Sequence, residues 1–324
     1  MRTAFYSLAV AALCLLSTPV FAQQSPLETK EKAVIQFDFN LDKITQSELG
    51  KKLGLAERLQ DLPGVNSDDL DPASLSRVFG ALSLPDNIAA FTLAPGDALP
   101  LEMFSRVEIS DSKTFAEALE KMAEKSQEVT IGSKTFMKPD GQAAPDGMLY
   151  QKVDEKTIEM GTEKYLTRED REVMSDGLNK AWDMAPDHAI RVVVDVDGME
   201  ALKEQIIETV GEMAPQGIAY AELLNNINNL RLTLDFAGKE LLTLSATGKD
   251  EELAEEFADG LDSLLLFAKI GLDPNSAPND EAANVIQEIS DSLKANIDGN
   301  EVSIKIPRPE GFDSFVEGMI PPGF

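Results

Sequence analysis

Stretches rich in β-forming residues give way twice to helical stripes, and the two occurrences read alike. Residues 33–40 predict a strand that runs into a helix over 43–62, and residues 189–197 predict another that runs into a helix over 199–213. Each strand closes on an acidic or amide pair, Asp38 with Asn40 and Asp195 with Asp197, residue types that favour turns and helix caps where strands end. A hairpin is predicted next in each copy. The first is built from 88–93, a Pro95-Gly96 turn and 102–109; the second from 230–236, Ala237-Gly238-Lys239 and 240–246. A helix follows, capped by Ser112 in one copy and Asp250 in the other. Its buried stripe is Phe115, Leu119 and Met122 in the first copy and Leu253, Phe257, Leu261 and Leu264 in the second. Residues 129–136 and 295–302 predict a closing hairpin, with Asp298-Gly299 a strong tight-turn signal.

Between the copies, 148–153 and 157–161 read as strands. Thr167-Arg168-Glu169-Asp170 has the form of a capping box for a helix whose buried side carries Val173, Met174, Leu178, Ala181 and Trp182, with Pro186 ending it. Gly and Pro cluster at Pro63-Gly64, over 140–147 and over 273–278, which are predicted as loops. Hairpins with helices between them predict an α+β architecture: two related halves of antiparallel β-hairpins with helices packed on one face of the sheet. The predicted division is a signal peptide over 1–22, a first half over 23–186, and a second half over 187–324 that ends in a Pro/Gly-rich apolar tail.

The signal peptide rests on Met1-Arg2 ahead of an apolar run from Ala4 to Leu16, then Val20-Phe21-Ala22, with cleavage expected between Ala22 and Gln23. The run is shorter than the roughly 20 apolar residues of a spanning helix, so the expected destination is periplasm or exterior, with no membrane span in the mature chain. Cys14 is the lone cysteine and leaves with the leader, so the mature chain must rely on core size and not on disulfides. Hydrophobic residues make up 43% of the sequence, enough for a real core. The formal net charge of −28 repels nucleic acid and anionic lipid, and is read as solvation that also suits cations or a basic partner.

Candidate chemistry is sparse. His188 is the single histidine, and no glycine-flanked serine elbow accompanies it, so it reads as a side chain at a strand start. One histidine and no mature cysteine do not make a zinc site. Asp195-Val196-Asp197-Gly198 with Glu204 matches the later part of an EF-hand loop. The first ligand position, however, falls on Val193, and a strand-to-helix turn explains the fragment better. Asp195, Asp197 and Glu204 are thus the metal candidates, and weak ones. The acidic loops around Asn66, Asp68, Asp69 and Asp71 and around Asp273, Asn275, Asn279 and Asp280 read as solvated. No catalytic residue and no cofactor is assigned: 57 acids offer no distinguished pair, and no phosphate-binding glycine loop is present. Leu264-Leu265-Leu266-Phe267 makes one helix apolar on nearly all sides, which predicts a sandwiched core helix, with a partner groove as the alternative. Phe312, Phe315, Met319 and Phe324 in the tail form a candidate partner surface, weighed against folding back onto the chain's own sheet.

With the leader and the repeated pattern, 242–247 (Leu-Thr-Leu-Ser-Ala-Thr) before an acidic helix and 156–163 (Lys-Thr-Ile-Glu-Met-Gly-Thr-Glu) resemble uncharacterised exported proteins of planctomycete-type bacteria. The resemblance implies export and architecture, with no activity, cofactor or site residue attached. The expected role is a non-catalytic binding or scaffolding module of the cell envelope, with an unknown protein or small ligand as partner. The alternatives are a carboxylate-based hydrolase, whose acids meet only in the fold, and a carrier of a hydrophobic ligand.

Overall fold

In β1 (Ile35–Asn40), Ile35, Phe37 and Phe39 alternate with Gln36, Asp38 and Asn40, so one side of the strand is apolar and the other polar. That alternation governs the whole molecule. The computed structural model describes residues 33–58, 74–84, 102–139, 148–167, 174–213 and 218–319. After β1 come three short helices, α1 (Leu41–Gln46), α2 (Glu48–Lys52) and α3 (Leu55–Arg58), then β2 (Leu75–Ser83), β3 (Glu102–Ile109) and α4 (Ser112–Glu124). Four strands follow, β4 (Ser126–Ile131), β5 (Lys134–Pro139), β6 (Met148–Lys152) and β7 (Thr157–Thr162), then α5 (Glu163–Thr167) and α6 (Asp176–Met184). β8 (Ile190–Asp195) leads through a 3-10 turn to α7 (Glu200–Met213) and α8 (Ile218–Glu222). The chain closes with β9 (Ile227–Leu234), β10 (Glu240–Gly248), α9 (Glu251–Ile270), α10 (Asp280–Ser292), β11 (Asn296–Asp298), β12 (Glu301–Pro307) and α11 (Phe312–Met319).

The strands of the described residues join one 12-stranded antiparallel sheet, in the order β11-β12-β10-β9-β8-β1-β2-β3-β7-β6-β5-β4. The centre is the pairing of β1 with β8, with Phe37 opposite Val192 and Asp38 opposite Arg191. Outward from it, β2 and β3 follow on one side and β9 and β10 on the other, each in chain order. The registers put Phe37, Phe39, Val78, Val107, Ile158, Val192, Leu232, Ala246 and Val302 on one face. Against this apolar face lie α4 through Phe115 and Leu119, α7 through Leu202 and Ile206, and α9 through Ala254, Phe257 and Ala258. The α+β class and the antiparallel sheet are therefore as expected, but the helices are not confined to one face. The opposite face adds α5 and α6: Tyr165 stacks on Phe104 with ring centroids 5.8 Å apart, and Leu178 and Ala181 pack with Ala81 and Val193.

Several local expectations change. The partner of β3 is β2, from Leu75↔Ile109 to Ser83↔Glu102, and the expected arm at 88–93 lies outside the described residues. The single helix expected over 43–62 is broken at Ser47, whose hydroxyl accepts from Gly50 N–H and starts α2, and again at Gly54, whose φ of 59° only glycine adopts without strain. The cap of α4 is Asp111, one residue before Ser112, because its carboxylate accepts from Thr114 N–H; Asp250 caps α9 as expected. Ser175, and not the Thr167 capping box, starts the helix that buries Leu178 and Ala181. The two closing hairpins form, with Gly132 and Gly299 at φ near +60°. They hold different places, however: β12 pairs with β10 directly, whereas β7 and β6 stand between β3 and the β4-β5 hairpin.

Candidate functional site

On the polar face, the row through Asp38 brings together side chains from four elements. Asp38 is wholly buried and accepts from Arg77 Nε at 2.7 Å and Nη2 at 2.6 Å, a two-pronged pair across β1 and β2. Arg191 of β8 lies on its other side, with Nη2 at 3.5 Å. The Arg191 guanidinium also covers the Trp182 ring of α6, 3.6 Å from its centroid, and Trp182 meets Phe79 edge-on at 6.0 Å. The hydrogen bonds that Arg77 donates to Asp38 hold its pKa above the ordinary value, and burial draws that of Arg191 down. Arg191 Nε and Thr233 Oγ1, on neighbouring strands, are buried with no hydrogen-bond partner among the described residues.

Two further polar sets share this face. Arg106 Nε donates to Glu159 Oε1 at 2.8 Å, and Gln151 Nε2 donates to Glu159 Oε2 at 2.6 Å. Arg231 donates to Glu301 and, at 3.2 Å, to Thr247 Oγ1. The buried acids of the described chain are thus each engaged: Asp38 and Glu159 by arginines, Glu102 by Lys164 at 2.5 Å, and Asp195 by a hydroxyl and a backbone N–H.

The metal candidates separate. Asp195 is buried, receiving the Ser175 hydroxyl and Gly198 N–H at 3.1 Å, which ties the start of α6 to the end of β8. Asp197 pairs with Lys249 at 3.3 Å, and Glu204 is exposed on α7. Among the described residues, no three acids, histidines or cysteines stand together as a metal-holding group. His188 Nε2 lies 4.0 Å from Asp235 Oδ2, just before β8 begins and just after β9 ends. An open depression of about 710 Å³ lies where β2 and β7 begin and β3 ends. Asp42, Glu108, Asp154, Glu155 and Lys156 line it. The Lys156 backbone N–H draws the Asp154 pKa down, and Lys156 Nζ donates to Ser110 O at 2.9 Å.

The two apolar features named from sequence exchange roles. Phe312 is 2% exposed, packed with Leu49, Leu241 and Val285, and Phe315 lies against the same cluster. The tail helix is therefore committed to the chain's own core. The Met319 side chain and Phe324 lie outside the described residues, as do Ala22 and Gln23. On α9, by contrast, Ala258 is the last fully buried residue, with Leu261 half-buried against the same cluster. A 20-residue helix is about 30 Å long, and the last two turns of α9 carry three strongly exposed apolar side chains. Leu266, Phe267 and Ile270 stand 62%, 66% and 77% exposed, and Leu264, expected in the buried stripe, is exposed as well. Among the described residues, no helix is long and apolar enough to cross a membrane.

No family model matches the chain, and no curated protein matches it. Solved structures of TP0453, a Treponema protein, are similar. Crystal form I has a TM-score of 0.38 at 10% identity, over 89% of this chain and 94% of that one. Crystal form IV gives 0.41 at 10% identity over 85% and 88%. Crystal form III gives 0.40 at 11% identity over 91% and 99%.

Proposed function

We propose that the chain is exported through its first 22 residues and works outside the cytosol as a binding or scaffolding module, with the second half of α9 as its contact surface. The observation that carries this reading is the exposure of Leu266, Phe267 and Ile270 on consecutive turns of one helix. Large apolar side chains exposed together on one helix end are a recurring mark of interaction sites. The acids support the same reading. Asp38 is held by Arg77, Glu159 by Arg106 and Glu102 by Lys164, so each of these buried acids is committed to an ion pair inside the fold. The leader and the resemblance of 156–163 and 242–247 to exported planctomycete-type proteins support the location.

A photo-reactive benzoylphenylalanine placed at position 267 in living cells tests the surface, with Glu288, exposed on α10, as the control position. A discrete adduct at 267 and none at 288 is expected. Equal or absent labelling at 267 overturns the assignment. Sequencing the exported pool from its N-terminus tests the location, with Gln23 as the expected first residue.

A further inference from the structure

The exposed side of α9 is not uniform. Successive residues turn by about 100° around a helix axis, so Glu252, Glu255, Asp259, Leu266 and Ile270 fall on one stripe, and every one of them is exposed. The first half of the stripe is therefore anionic and the last two turns are apolar, along a length of about 30 Å. We propose that this stripe is a docking site for a basic amphipathic helix of another protein, with apolar side chains seated on Leu266, Phe267 and Ile270 and lysines or arginines facing Glu252, Glu255 and Asp259. The inference rests on the reading of α9 as a contact surface and names the partner class.

Charge selects this occupant. A second copy would bring together two chains of formal charge −28, and each would present the same acids. The apolar end alone offers only a few side chains, well below the roughly 800 Å² per partner of a standard interface. An anionic lipid surface is repelled by the same field. A cationic helix laid along the stripe uses both halves at once. Its apolar anchors supply affinity, and its charges supply steering and register.

The probe is a 21-residue synthetic peptide with leucine at every third or fourth position and lysine elsewhere, titrated by fluorescence anisotropy at several salt concentrations. The apolar variant carries Leu266→Gln, Phe267→Gln and Ile270→Gln; the acid variant carries Glu252→Gln, Glu255→Gln and Asp259→Asn. All six positions are exposed, and matching circular dichroism and melting temperature establish that both variants fold. The expected result is a loss of at least about tenfold in affinity for the apolar variant with its salt dependence kept, and a shallower salt dependence for the acid variant. Equal peptide binding by wild type and apolar variant overturns the inference. Self-association in sedimentation velocity, or co-sedimentation with phosphatidylcholine vesicles, also overturns it if the apolar variant abolishes either. Those two results leave α9 standing as a contact surface, whereas no binding to peptide, self or vesicle overturns both readings.

Discussion

Replacing Asp38 by alanine removes the carboxylate that Arg77 and Arg191 share, and the structure sets the size of the loss. Breaking a buried ion pair from one side costs about 3–5 kcal/mol, mostly because the charge left behind is uncompensated. The two arginines differ in how they meet that situation. Arg77 keeps 37% of its side chain in contact with solvent and can rehydrate, whereas Arg191 keeps 12%. Arg191 Nε has no hydrogen-bond partner among the described residues, and burial already lowers the pKa of the group. The Arg191 cation over Trp182 retains its ring contact, and Asp187 continues to attract both arginines. The expected cost is therefore at the low end, about 3 kcal/mol. For a chain of this size that corresponds to a fall of about 6–12 °C in melting temperature. Urea unfolding followed by circular dichroism at neutral pH measures it as a lower midpoint at unchanged slope. A double-mutant cycle with Arg77→Ala should return a coupling of at least about 1 kcal/mol. A loss below about 1 kcal/mol, or no coupling, refutes the view that this network holds the centre of the sheet.

Three further outcomes follow from local geometry. Phe312→Ala should cost about 3–5 kcal/mol by opening a cavity beside Leu49, Leu241 and Val285, whereas Phe267→Gln should stay within about 0.5 kcal/mol; urea midpoints of the two variants decide between the buried tail and a buried α9. Gly80→Ala should cost about 1–3 kcal/mol, since a Cβ there meets Phe104 O and Phe37 Cζ at 2.4 Å each, and a wild-type melting temperature would rule out that strand contact. The Asp111 carboxyl is held below its ordinary value of 3.8 by Thr114 N–H, so its contribution is complete above that value and is lost as pH falls through the lower folded-state value. Asp111→Asn keeps a capping oxygen but cannot titrate, so wild type should lose stability relative to the variant only below about pH 4; a constant difference from pH 2 to 6 in urea titrations would count against it.

Much of the sheet was legible because strands and turns are short-range signals. The 33–40 and 189–197 stretches became β1 and β8, 240–246 became the first seven residues of β10, and the turns at Gly132 and Gly299 fell where the sequence placed them. The misses share one cause, which is distance along the chain. Nothing local in 75–83 announces that it, and not 88–93, pairs with β3, since that pairing is set by apolar contacts such as Val78 against Val107. The capping box at Thr167 was a sound local pattern. Ser175 became the cap that starts α6, and its hydroxyl also meets Asp195, twenty residues away. The ion network was hidden for the same reason: Asp38, Arg77 and Arg191 are polar residues on polar sides of strands, which sequence reads as solvent-facing until α6 is laid over them.

That covering of a polar face links the core to the surface. A sheet of this length has two faces to settle, and the long helices take the apolar one. At the centre of the other face, α6 brings Trp182 and Leu178 onto strands that carry Asp38, Arg191 and Arg231, so charges there must be matched within the sheet because water reaches them poorly. Each buried acid of the described chain is matched in this way, by a cation or by hydrogen-bond donors within the fold. Unsatisfied apolar surface is then left at the far end of α9, where the helix continues past Ala258. Leu266, Phe267 and Ile270 keep most of their surface in water, and a helix end with three such side chains is where association gains most from burial.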